Sequence, residues 1–259
     1  MPMSLLVNLF IVGAQKSGTT ALHHMLNNIP NIQMSKKKEV HFFDDDSVVD
    51  WKNVNYEKLH SQFDWSIPVK IRGEATPITC FWPNALERLK TYNPDAKLVH
   101  ILRHPVYRAY SQWKMEYKKG NENLSFLEAI SVPGQSRSGE VYHRVYSYLD
   151  RGYYDKIVEK IYNLFPKNHL ILLRTDHLWN NPKSEVEKLL NFLEIAKRSD
   201  YAPDQKYIVP IDTRDIQNLS NELFRQLLPI FEQSINRLQA IANNDYSDWL
   251  KCEYKEDWT

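Results

Sequence analysis

Apolar residues gather along the chain in short runs, and between the runs they recur every three or four positions. The first run, Leu5 to Val12, is broken only by Asn8 and leads through Gly13-Ala-Gln-Lys-Ser-Gly-Thr-Thr20 into Ala21-Leu-His-His-Met-Leu26, whose apolar positions have helical spacing. Strand, glycine loop and helix are the predicted order. Three further runs, Val69 to Gly73, Lys97 to Leu102 and His169 to Arg174, predict strands. Helical periodicity predicts helices over about 106–118, 142–165, 184–193 and 219–242; Pro105 suits the first turn of the first, and the last stays amphipathic despite Pro229.

Strands separated by helical segments need crossover connections. The expected fold class is therefore α/β: a P-loop-type three-layer sandwich with a central, mostly parallel β-sheet flanked by helices. Ligands of such folds bind at the carboxyl ends of the strands. No internal repeat, low-complexity tract or linker divides the chain, so residues 1–259 are expected to form a single domain. Pro133, Gly134 and Gly139 make Ser131 to Gly139 the expected mobile surface loop.

Composition narrows the function classes. At 42% hydrophobic and 25% charged residues the chain is a globular protein, which excludes collagen-like, low-complexity and wholly disordered readings. Thirty-three basic against 32 acidic residues leave a formal charge of +1, no global field for a long polyanion, and no nucleic-acid partner is expected. Cys80 and Cys252 are too few for a disulfide framework or a cysteine-based zinc site, which favours a reducing, cytoplasmic setting. The run Leu5 to Val12 is far short of a membrane span and no basic residue precedes it, so a buried strand is expected and no membrane partner. Nothing in the chain fixes an oligomeric state.

Only seven glycines are present, so their placement is informative. Gly13 and Gly18 have the spacing of the two glycines in a Walker A loop and lie between strand and helix. Such a loop curls backbone N–H groups around an oxyanion, and the helix starting near Thr19 adds its own. The loop departs from a kinase or nucleotide hydrolase in two ways. Its lysine, Lys16, lies inside the loop instead of after Gly18, and no apolar strand ends in a Walker B aspartate; only Asp176 follows one closely. No metal is expected at this anion site. A P-loop kinase or hydrolase remains the rival enzyme class, and a non-catalytic nucleotide-binding module the rival from another class.

Gly13 to Leu22 resembles the 5′-phosphosulfate loop of sulfotransferases that use 3′-phosphoadenosine 5′-phosphosulfate (PAPS). Leu102-Arg103-His-Pro105 followed by Tyr110-Ser111 is similar to their 3′-phosphate motif, and Lys38-Glu39-Val-His41-Phe-Phe43 resembles the segment carrying the catalytic carboxylate in the heparan-sulfate-type branch. Gly73-Glu-Ala-Thr-Pro77 is similar to a further block of that branch, and Arg151-Gly-Tyr-Tyr154 and Asp245 to Trp249 resemble bacterial members. The resemblance runs from the first strand to near the end of the chain.

It implies sulfuryl transfer from PAPS to a hydroxyl or amine, with release of 3′-phosphoadenosine 5′-phosphate (PAP). Gly13, Gln15, Lys16, Ser17, Gly18, Thr19 and Thr20 are the implied phosphosulfate contacts, and Arg103 with Ser111 the implied 3′-phosphate contacts. Lys16 is placed to stabilise negative charge growing on the leaving phosphate. Glu39 is the implied base, with His41 orienting it or sharing the work; in an extended segment two such residues point to one side. The rival reading pairs Glu39 with Lys36, Lys37 or Lys38. Ala75 stands where heparan-type members often have lysine, and Glu74 is a further candidate. Near-neutral charge favours a small-molecule acceptor.

Weaker signals remain. Lys36 to Lys38 and Asp44 to Asp46 read as solvated loops. His23 or His24 is expected to line the pocket without a metal. Trp82, Trp113, Tyr142, Tyr146, Tyr153 and Tyr154 offer stacking surfaces or core packing.

Overall fold

The computed structural model describes residues 6–132, 137, 142–196 and 219–256. Five parallel strands form one sheet in the order β2-β3-β1-β4-β5, where β1 is Leu9–Gly13, β2 Ile32–Met34, β3 Ile71–Ala75, β4 Lys97–Leu102 and β5 Leu170–Arg174. Every residue of β1 is buried, as expected of a central parallel strand covered on both faces.

The side-chain alternation of β1 divides the core. Leu9 and Ile11 join Val99 and Ile101 of β4 against α1 (Thr19–Asn27), α7 (Thr175–Asn180) and α8 (Pro182–Phe192). Phe10 and Val12 join Leu98 and Leu102 on the other face. There they meet α3 (Ala85–Tyr92), α4 (Pro105–Lys118), α6 (Tyr154–Leu164) and α9 (Asn221–Ala242). Two short helices, α2 (Glu57–His60) and α5 (Phe126–Ser131), lie in the connections; a capping box of Ser125 and Glu128 starts the second.

The expected three-layer sandwich is present, with local differences. Strand β2 has three residues, too few to show alternation in the sequence. Strand β3 begins two residues later than expected and runs through Glu74 to Ala75. The helix expected over 142–165 is broken into a π-turn at Tyr142–Tyr146, a 3₁₀ turn at Asp150–Gly152 and α6. The break belongs to packing: a Cβ on Gly152 would stand 2.8 Å from the Phe231 ring and 3.1 Å from Pro105. Helix α9 continues through Pro229 and buries Phe224, Leu228, Phe231 and Ile235. Gly134 and Gly139 of the expected loop lie outside the described residues.

Strand order reverses at β1, with β3 on one side and β4 on the other. The loops after these three strands therefore meet at one edge of the sheet, where open α/β sheets bind their ligands.

Candidate active site

Gly13 ends β1 where a Cβ would stand 2.5 Å from Cys80 Sγ and 3.2 Å from His100 Nε2. Gly18 has φ 92°, a left-handed conformation in which glycine is unstrained, and α1 begins at the next residue. The loop is tied down on its inner side. Ala14 N donates to Ile101 O at 2.9 Å, and Thr175 Oγ1 lies 3.0 Å from the carbonyl oxygens of both Ser17 and Leu102. The first N–H groups of α1 have no carbonyl one turn earlier in the helix, an arrangement that suits an anion. Lys16 is half-buried within this loop at φ 72°.

Arg103 follows β4 and is buried. Its Nε donates to both carboxylate oxygens of Glu256 at 3.0 and 2.9 Å, Nη2 lies 2.7 Å from Glu256 Oε2, and Nη1 donates to Lys16 O at 2.9 Å. Tyr154 hydroxyl donates to Arg103 O at 2.8 Å. Glu256 thus occupies the Nε and Nη2 side of this guanidinium. Ser111 sits half-buried on α4, two helical turns after Arg103.

Glu256→Gln leaves a buried guanidinium without its counter-charge. The expected loss is about 3 kcal/mol of unfolding free energy, read by chemical denaturation of the nucleotide-free protein.

Glu39 and His41 do not lie in an extended segment; both have positive φ, 61° and 52°. They meet nonetheless, because the loop between them is pinned to β3. Glu39 N donates to Ala75 O at 3.0 Å, Val40 N to Glu74 Oε1 at 3.3 Å and His41 N to Thr76 Oγ1 at 3.3 Å; Thr76 in turn donates to Glu74. Burial pushes the Glu74 carboxyl up to about 7.

The result is a chain of polar groups. His41 Nε2 lies 3.5 Å from Glu39 Oε2, and His41 Nδ1 lies 2.7 Å from Asp44 Oδ2. Asp44 is fully buried and receives Arg144 Nη1 at 2.9 Å, while Nη2 donates to Asp44 O at 2.9 Å. The hydrogen bond to Asp44, then that to Glu39, holds the His41 imidazolium up at about 9. Burial alone would raise Glu39, but His41 and Lys38 outweigh it and lower the carboxyl to about 2. Lys38 touches Glu39, so the rival pairing and the pairing with His41 are both present.

Because the folded value of His41 lies above 6.5, its contact with Asp44 adds stability below that pH and loses it as pH rises through about 9. In Asp44→Asn the His41 midpoint should fall from about 9 towards 6.5, measured by an NMR titration of the ring.

The acidic run is a solvated loop only in part, since Asp44 is buried while Asp46 is exposed. Asp44 orients His41, Asp45 pairs with Lys58 at 2.7 Å, and Asp46 pairs with Arg88 and accepts Trp82 Nε1 at 2.9 Å. Trp82 carries the Arg144 guanidinium 4.2 Å over its ring, beside the His41 chain.

A sulfotransferase domain model matches residues 7–209. The chain belongs to the sulfotransferase family. Heparan sulfate glucosamine 3-O-sulfotransferase 5 of Mus musculus is 28% identical over 73% of this sulfotransferase and 53% of that protein. Membrane-associated sulfotransferase kil1 of Dictyostelium discoideum is 35% identical over 93% of this chain and 66% of that protein. The chain thus spans about half to two thirds of the length of these relatives. A sulfotransferase from Alicyclobacillus acidocaldarius superposes with a TM-score of 0.79 at 25% identity, covering 95% of this chain and all of that one.

Other sequence candidates take structural places in the sulfotransferase. His23 is buried with Nε2 3.2 Å from Ser35 O, and burial lowers it to about 4. Trp113 donates to Leu124 O at 3.0 Å, Tyr146 to Asn121 O at 3.0 Å, and Tyr153 packs on Phe231. Tyr142 bonds Asp150, and Asp176 is held by Arg174. Ala75 is buried in the apolar layer that includes α1. No described helix is long and apolar enough to cross a membrane.

Proposed function

We propose that this sulfotransferase moves a sulfuryl group from PAPS to a hydroxyl or amine of a small acceptor and releases PAP. The observation that carries the reading is that the Lys16 loop follows β1 while the Glu39–His41–Asp44 chain is tied to the carboxyl end of the adjacent strand β3. A polyanionic donor fits the charge behind the loop. Arg108 and Arg151 are buried, and among the described residues neither has a carboxylate at ion-pair distance. Buried cations of this kind call for a compensating anion.

The bound donor would supply the sulfuryl group and a phosphate leaving group. Lys16, the loop N–H groups and the hydroxyls of Thr19 and Thr20 would hold that phosphate and favour the charge it gains. Arg103 would take the 3′-phosphate on release of Glu256, helped by Ser111. Glu39 would accept the acceptor's proton, and His41, fixed by Asp44, would hold the carboxylate in place. The positive charge comes from side chains and a helix N-terminus, so transfer should persist in a chelator.

The glucosamine named in the mouse relative favours a second acceptor class, a sulfated polysaccharide. Ala75 and the formal charge of +1 favour the small acceptor. Incubation with ³⁵S-labelled PAPS and EDTA, supplying in parallel a pool of small hydroxyl and amine compounds and heparan sulfate oligosaccharides, decides the matter. Label in the small pool supports the proposal; label only in the oligosaccharides overturns its acceptor class.

A further inference from the structure

Arg151 sits on the 3₁₀ turn Asp150–Gly152, and its side chain crosses to a loop 136 residues earlier in the sequence. Four contacts engage its guanidinium. Nε donates to Ser147 Oγ at 2.8 Å, Nη2 to the carbonyl oxygens of His143 and of Arg144, the latter at 3.1 Å, and Nη1 to Gln15 Oε1. The ring of Phe81 lies 5.3 Å from its Cζ. Every partner is neutral, so the charge is buried without an anion at ion-pair distance among the described residues. Burial, with Arg108 nearby, lowers the group to about 9, which leaves it protonated at neutral pH.

The contact with Gln15 has a chemical direction. Arginine has five N–H donors and no acceptor, so the glutamine atom facing it is the carbonyl oxygen. The amide is fixed in one of its two orientations, and its Nε2 donor end is turned from Arg151. Gln15 Nε2 makes no hydrogen bond with the described protein. Gln15 stands between Gly13 and Lys16, in the loop built to face an anion. A glutamine turned the other way would present an acceptor oxygen to that anion and repel it.

We propose that Arg151 is a positioning residue for the donor: it locks the Gln15 amide with its N–H₂ presented to the phosphosulfate and places a buried positive charge behind it. The proposal rests on the PAPS reading above and adds a residue remote in sequence to the donor site. It also makes the loop's selectivity for anions depend on a guanidinium carried by a residue 136 positions later in the sequence.

The test uses PAP affinity by calorimetry and thermal melting of the free protein. Gln15→Glu keeps Arg151 in place and turns the contact into an ion pair. It should raise the melting temperature of the free protein while weakening PAP at least about tenfold, because the ion pair lowers the positive charge offered to the anion. Gln15→Ala should weaken PAP about tenfold. Arg151→Met should do the same, and the double variant Arg151→Met/Gln15→Ala should lose little beyond either single variant, since the two act as a unit. Arg151→Lys should restore part of the loss. If Arg151→Met does not fold, the Gln15→Glu result stands alone as the decision. An unchanged or lowered melting temperature in Gln15→Glu, unchanged PAP affinity in the variants, or additive losses overturn the role of Arg151 while leaving the donor reading intact. A wild-type protein that does not bind PAP overturns the donor reading and this proposal with it.

Discussion

Glu39→Gln should lower kcat by about 10²- to 10⁴-fold, the range expected when a positioned general base is removed, while PAP affinity stays within about twofold. Glu39 has His41 on one side at 3.5 Å and Lys38 on the other, and the two cations keep it ionised far below neutral pH. A carboxylate held at about 2 is a weak base, so the acceptor must loosen this pairing as it binds. His41 is suited to that exchange, because Asp44 keeps it charged and oriented whether or not Glu39 remains beside it. Glutamine keeps the shape of Glu39 but cannot take a proton at neutral pH. Single-turnover kinetics with saturating PAPS would read the loss in the chemical step, and wild-type turnover would remove Glu39 as the base.

Lys16→Ala should lower kcat/KM by about 10²- to 10³-fold, with most of the loss in kcat. A cation at the leaving phosphate matters most when that phosphate gains charge, so it favours the transition state over the bound donor. The backbone of the loop does not depend on the lysine side chain: Arg103 Nη1 bonds the Lys16 carbonyl, and Thr175 bonds Ser17. Alanine at φ 72° keeps the β-carbon of the native residue, so the loop path should survive. PAP affinity should fall much less than turnover. A loss shared equally by PAP affinity and kcat/KM, with kcat unchanged, would reassign Lys16 to ground-state binding.

The parts of the site legible in the sequence are the local ones. Strand β1, the glycine loop and α1 occupy consecutive residues, and the apolar run, the two glycines and the helical spacing all point to one local answer. Strands β4 and β5 are short continuous apolar runs of buried parallel type and were readable for the same reason. Glu39 and His41 were legible as a pair, but their meeting comes from two left-handed residues pinned to β3, which an argument from strand alternation does not contain. Asp44 was hidden in a run of three acids; nothing in Asp44-Asp45-Asp46 separates the buried residue that orients His41 from the two that pair with Lys58 and Arg88. Glu256 and the Arg151–Gln15 contact were out of reach, because each partner is more than a hundred residues away and only the tertiary fold brings them together. The break of the helix expected over 142–165 belongs with these, since Gly152 is required by Phe231 on a helix nearly eighty residues later.

The central claim is that the edge formed by β3, β1 and β4 holds a nucleotide carrying a 3′-phosphate, with Glu256 as the group that gives way. Calorimetric titration of the wild-type protein in EDTA with PAP, and in parallel with adenosine 5′-monophosphate, tests it most directly. The expected result is one PAP site per chain with at least about tenfold preference over the monophosphate, the increment of a charge-assisted contact to Arg103. Equal affinity for the two nucleotides, or no binding of PAP, would contradict it.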